Sequence, residues 1–185
     1  GTETTYDLNT GSYDPGWRTD GINANVTTVV FDNSFASARP TTTYYWFNNM
    51  EKLASVQGIE HLNTSEVTNM DYMFRGCSKL TSLDLSGFNT ANVTSMIHMF
   101  NSCSALTSLD LSGFNTANVT GMYAMFSGCS ALTTIYVGDG WNTEKVESST
   151  NMFLNCTSLV GMNGTAFDSS HTDATYAHVD GGTAN

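Results

Sequence analysis

The sequence predicts an α/β fold of solenoid type, one parallel sheet of about six strands with short helical segments on the opposite side. Three observations carry this. The first is self-similarity: Leu80–Ala105 returns as Leu106–Ala131, differing only at Ser95/Gly121, Ile97/Tyr123, His98/Ala124, Asn101/Ser127 and Ser102/Gly128. A period of roughly 20 to 30 residues means one supersecondary unit per repeat, stacked so that neighbours bury each other's apolar faces. The second is a motif in register: Met73-Phe74, Met99-Phe100, Met125-Phe126 and Met152-Phe153 are followed by Cys77, Cys103, Cys129 and Cys156, and the cysteines step by 26, 26 and 27 residues. A degenerate earlier copy has Trp46-Phe47 at the doublet and Met50 at the cysteine position. The third is the alternation of Leu83 and Leu85 with Ser82, Asp84 and Ser86, the period of a half-buried strand.

The elements follow in chain order. Residues 1–25 break the repeat, punctuated by Gly11, Pro15, Gly16 and Gly21, and read as an N-terminal cap that folds Tyr13 and Trp17 over the first coil. Residues 26–167 are the repeat region. Aligning its copies predicts strands near 27–32, 53–58, 80–86, 106–112, 132–138 and 159–164. Between strands, Val93, Met96, Met99, Phe100 and Cys103 match one face of a short helix, with Thr94 as its N-cap. In the longer copies Gly138, Asp139, Gly140 and Trp141 occupy the space of Ser112, Gly113 and Phe114, predicting a corner that bulges outward. Residues 168–185 are too polar to add a full coil and read as a C-terminal tail.

Composition limits the function classes. The 185 residues contain 6 basic and 17 acidic side chains, a net charge of -11, which repels nucleic acid and anionic membrane. No apolar run is long enough to span a bilayer. The chain begins at Gly1 and carries no charged-then-apolar leader, which reads as a processed or truncated chain and says nothing of secretion. Abundant Thr, Ser, Asn and Gly with few charges fit a bacterial surface protein better than a cytosolic enzyme.

The residues that first look chemical fall into repeat columns. Cys77, Cys103, Cys129 and Cys156 occupy one equivalent apolar position, reading as small buried groups, with disulfides or metal ligation as the alternatives. Asn63, Asn89, Asn115 and Asn142, each followed by Thr, read as a buried hydrogen-bonded ladder at a tight corner. Asp84 and Asp110 stand outward with Ser82, Ser86, Ser108 and Ser112. Such a carboxylate pair can serve acid–base chemistry or calcium, but repetition produces it automatically and no third converging group accompanies it. His61, His98, His171 and His178 share no metal spacing, although His171, Asp173, His178 and Asp180 cluster in the tail. Tyr44, Tyr45, Trp46 and Phe47 form an aromatic patch in the first coil.

The pattern LDLSxFNTxxVTxMxxMFxxC resembles the BspA-type leucine-rich-repeat surface proteins, in the branch with Phe-Asn-Thr and Met-Phe-x-x-Cys signatures. The likeness covers roughly Val26 to Phe167, with departures at Ser149, Tyr136 and Val137. It implies a leucine-rich-repeat-like solenoid, exported to the cell surface and associated with adhesion, with no catalytic residues and no cofactor. The expected function is therefore noncatalytic recognition of an unidentified host or bacterial protein through Ser82, Asp84, Ser86, Ser108, Asp110, Ser112, Thr134 and Tyr136. Two alternatives stand beside it: a carbohydrate-binding module using Tyr136 and Trp141, and a spacer that projects other domains from the wall.

Overall fold

The computed structural model describes residues 14–19, 21–161 and 164–177, so the expectations for Gly11, Tyr13, His178 and Asp180 lie outside the described residues. The architecture is a small α/β one with few short helices and two parallel sheets of two strands each. Strand β1 (Thr28–Val30) pairs with β2 (Ser55–Gln57), and β3 (Ser108–Leu111) with β4 (Thr134–Val137). One α-helix, α1 (Gly16–Thr19), and short 3-10 turns at Ile22–Asn25, Asn33–Ser37, Ile59–His61 and Ala174–Tyr176 complete the regular elements.

The greatest departure from expectation lies in the stretch read as helical. Residues 93–103 form no α-helix. Met99, Asn101 and Cys103 donate three residues back, to the carbonyls of Met96, His98 and Phe100. The amides between them point elsewhere: Met96, His98, Phe100 and Ser102 donate to Gly121, Tyr123, Met125 and Ser127 of the following copy at 2.7 to 2.9 Å. An α-helix here would turn the amides beyond its first turn onto carbonyls four residues back in the same copy. The same alternation joins 43–49 to 69–75, 70–76 to 95–101, and 122–128 to 148–154. Successive turns are forced by left-handed residues such as Tyr72, His98 and Ala124, and a non-glycine residue there costs roughly 1 to 2 kcal/mol. Their hydrogen bonds to the next copy hold them. Thr94 is accordingly not a helix cap; its amide and hydroxyl both donate to Thr68 O, at 2.8 and 3.1 Å.

The corner after each strand is fixed by the Thr of Phe-Asn-Thr. Thr90, 1% exposed, donates its hydroxyl to Asn115 O (3.0 Å) and accepts from Asn115 N (2.8 Å). Thr64 does this with Asn89, and Thr116 with Asn142. One buried hydroxyl thus satisfies a donor and an acceptor of the next copy. Inside, side chains stack in columns: the rings of Phe74, Phe100, Phe126 and Phe153 lie 5.9, 5.7 and 5.6 Å apart and nearly parallel. Phe88 and Phe114 form a second ring pair at 6.4 Å.

The strands correct the sequence reading as well. Among the described residues no single sheet of about six strands forms. Residues 80–86 carry the sequence of 106–112 unchanged, yet only the second makes a ladder. Its partner β4 is Thr-Ile-Tyr-Val, β-branched and aromatic, whereas the copy preceding 80–86 leaves β2 at left-handed Gly58 and enters a 3-10 turn. In 159–164 the described residues give only an antiparallel bridge, Val160 to Ala166. The corner at 138–141 lies close against the preceding copy. A Cβ on Gly138 would lie 2.4 Å from Ser112 O, and one on Gly140 2.6 Å from Phe114 O, so glycine is required because the corner presses on the preceding copy.

The first coil is covered by α1: Trp17 meets Trp46 edge-on at 5.6 Å and donates its indole N–H to Trp46 O at 2.7 Å. At the other end Phe153 N donates to Thr172 O, which draws residues 172–177 onto the last coil.

The buried threonines make a direct stability test. Thr90→Val or Thr116→Val keeps the shape and strands two backbone groups, and is expected to cost about 1 to 3 kcal/mol in urea unfolding. Thr120→Val, at an exposed hydroxyl 3.4 Å from Thr94 O, should stay within about 0.5 kcal/mol. Equal losses would show that the buried hydroxyl does not fasten the copies.

Candidate functional site

β3 alternates cleanly, with Leu109 and Leu111 buried and Ser108 and Asp110 exposed. The pairing of Asp110 with Tyr136 and of Val30 with Gln57 sets the outward register. With Asp84 at the equivalent repeat position, one outer column reads Val30, Gln57, Asp84, Asp110, Tyr136. It is apolar at both ends and acidic in the middle. Val30 and Tyr136 are 64% and 56% exposed, high for large apolar side chains. Ser82, Ser86, Ser108 and Ser112 are exposed beside the carboxylates, and Thr134 is half-buried.

Both carboxylates are shaped by their own corners. Asp84 Oδ1 accepts from Ser86 N at 3.0 Å and Asp110 Oδ1 from Ser112 N at 2.9 Å. Hydrogen bonds from those serines hold both acids below the usual carboxylate range, and the repulsion between the two aspartates is a lesser effect on Asp84. The pair is therefore ionised at neutral pH, contrary to the raised affinity that mutual repulsion alone would give. Among the described residues no three His, Cys, Asp or Glu groups converge as a metal site.

The column ends beside a cleft of about 820 Å³. β4 forms one wall; Leu159, Val160, Phe167 and Tyr176 contribute to the remainder, and Trp141 also lines it. His171 Nδ1 lies 2.9 Å from Asp168 Oδ2, and the His171 ring packs on Tyr176 at 4.1 Å. Sequence reasoning named Tyr136 and Trp141 but missed the cleft, because its second wall forms where the chain turns back after Val160 and is completed by Tyr176 from beyond the repeat region.

The other two columns are structural in their contacts. The four cysteines are free and buried, and each thiol donates to a carbonyl of the preceding copy: Phe47, Phe74, Phe100 and Phe126, at 3.0 to 3.2 Å. Burial pushes Cys77 and Cys156 up to about 12, and Cys103 and Cys129 also well above the ordinary value. The asparagines serve their own corners. Asn63, Asn89, Asn115 and Asn142 accept from the amides of Ser65, Ala91, Ala117 and Glu144, while the link between copies passes through the threonines. Asn89 and Asn115 are exposed, so theirs is not a buried ladder.

One carboxylate went unnoticed in the sequence. Asp71 is 8% exposed, and its Oδ1 accepts from Ser95 Oγ (2.5 Å) and Ile97 N (2.7 Å) while Oδ2 accepts from Asn69 (3.1 Å). Its signal was its departure from the repeat, since Tyr44, Ile97 and Tyr123 occupy the matching positions. Nearby Tyr45, Tyr72, His98 and Tyr123 form a row with ring centres 4.6, 4.8 and 5.1 Å apart. The aromatic patch expected in the first coil thus divides: Trp46 and Phe47 enter the core, while Tyr44 and Tyr45 join this row.

Residues 41–167 match the model of a family described as "Mycoplasma protein of unknown function, DUF285". No curated protein and no solved structure gives a match.

Two measurements follow from these ionisations. Native protein should not react with a thiol reagent at neutral pH and should react at all four cysteines once unfolded; fast labelling of the folded state would contradict the burial. Burial raises Asp71 above its ordinary 3.8, so its ionisation opposes folding: stability from this group is full below 3.8 and declines as pH rises through the folded value. Asp71→Asn, which keeps an acceptor for Ile97 N, should therefore gain stability relative to the parent between acid and pH 7. A parallel pair of pH profiles would refute this.

Proposed function

We propose that this chain, which belongs to the DUF285 family, is a noncatalytic recognition module that binds a protein partner through its outer strand column. In this reading the repeats wind as a leucine-rich-repeat-like solenoid of the BspA type, displayed outside a bacterial cell for adhesion. The winding is supported by the parallel bridges Thr42–Asn69–Ser95–Gly121–Ser148, each one repeat further along the chain. The observation that carries the function is the column Val30, Gln57, Asp84, Asp110, Tyr136. Its side chains are free of the inner packing, so they set specificity without altering the core. Its acidic centre and apolar ends fit a partner segment with basic residues flanked by apolar ones.

The glycan reading rested on Tyr136 and Trp141. Both line the terminal cleft, where aliphatic Ile135, Val137, Leu159 and Val160 stand beside polar Thr134, Asp168 and His171, and the apolar share of the walls favours an apolar-rich ligand.

Panning a displayed peptide library on the protein tests the proposal. Enriched sequences should carry Lys or Arg between apolar residues, bind more weakly as salt is raised, and lose about tenfold or more in affinity to the Asp84→Lys, Asp110→Lys double variant. Binders that hold the double variant as tightly as the parent would show that this column is not the recognition surface.

A further inference from the structure

The exposed large apolar residues among those described are Ile22, Val30, Tyr136, Val160 and Tyr176. Three of them, Tyr136, Val160 and Tyr176, line the one cleft beside β4. The manner in which the repeat ends there says what the cleft accommodates. At the preceding junction β3 receives β4 as a parallel strand, residue for residue. Beyond β4 the next copy begins in the same way, with Val160 N donating to Thr133 O at 3.0 Å. It then turns back: Gly161 N donates to Thr165 O, Gly164 is left-handed at φ +80°, and Val160 bridges Ala166 antiparallel. Among the described residues no backbone hydrogen bond joins 134–137 to anything after Val160. The column of stacked phenylalanines stops here too, with Phe126 and Phe153 both in the cleft lining.

We infer that the cleft takes an extended peptide segment with apolar residues at alternate positions, added as a strand along the free edge of β4. A strand edge without a partner presents unpaired amides and carbonyls. A segment laid on it gains main-chain hydrogen bonds, and its inward side chains enter the apolar cleft where the next coil's leucines would otherwise pack. The occupant is chosen by the repeat itself, for at the β3–β4 junction the group that follows a strand is another strand of alternating pattern. This inference shares Tyr136 with the outer column but not its acidic centre, because Asp84 and Asp110 do not line the cleft.

The probe is a synthetic peptide of the chain's own residues 131–137, ALTTIYV, flanked by lysines for solubility. Added to the intact protein, it should bind saturably, shift the amide resonances of 133–137 and 159–167, and change Trp141 emission. Two N-methylated forms decide the mode: methylating alternate amides on one edge should weaken binding about tenfold or more, and methylating the intervening amides should leave it unchanged. Val160→Asp should also weaken it, and the Asp84→Lys, Asp110→Lys variant should bind as the parent does, which separates this test from that of the column. Equal affinity of the parent peptide and both methylated forms would overturn strand addition. So would absence of binding, or a chito-oligosaccharide shifting those resonances where the peptide does not.

Discussion

Everything in this molecule depends on the division of amides along the turn face of each repeat. From His98 to Cys103 one amide reaches the following copy and the next closes a turn on its own, so a residue that leaves the pattern strands a donor. The constraint explains why left-handed conformations recur at Tyr45, Tyr72, His98 and Ala124, where their side chains would disfavour them. Local strain of roughly 1 to 2 kcal/mol per residue is tolerated because the amide of each such residue donates to the following copy while its carbonyl closes the next turn of its own. The ring, thiol and threonine columns are consequences of the same register. Once the backbone of one copy is docked on the next, identical side chains fall one above another.

That division also explains what could and could not be read from the sequence. The repeat length, the copy boundaries and the buried set were legible, because Val93, Met96, Met99, Phe100 and Cys103 all lie at or near zero exposure. The element type was not. Apolar residues at intervals of three, six, seven and ten suit one face of a helix, and they equally suit a chain of three-residue turns in which about every third residue points inward. Periodicity records which side chains are buried, not where amides donate. The strands show a different limit: 80–86 and 106–112 are the same peptide in two states, so no reading of that peptide alone could separate them.

The candidate site was legible in part for a related reason. Alternation along the strands identified Asp84, Asp110 and Tyr136 as outward, and the pairing Asp110–Tyr136 joins two of them in one register. Val30 and Gln57 were missed because their copies are degenerate, with nothing resembling LDLS to align. The cleft was missed because it is made where the repeat stops, by Tyr176, Phe167 and the turn after Val160. Departures from a repeat are where its sequence says least about structure.

Departures also need sorting before they are read as function. The amide at the position of Tyr44, Asp71, Ile97 and Tyr123 points away from its own turn. In the first three copies a side chain answers it: Thr42 Oγ1 for Tyr44, Asn69 Oδ1 for Asp71, and Asp71 Oδ1 for Ile97. In the third of these the copy's own Ser95 donates to Asp71 instead, and the carboxylate from the preceding copy takes over its task. At Gly121 no side chain exists, and Ile97 packs over the space, since a Cβ there would lie 3.1 Å from the Ile97 side chain. The variation Thr42, Asn69, Ser95, Gly121 is thus compensation within one stack. Removing it from the candidates leaves variation that answers no internal need, at Val30, Gln57 and Tyr136 on the outer column and in the walls of the cleft. Those positions are where selection acting on a partner would be free to write.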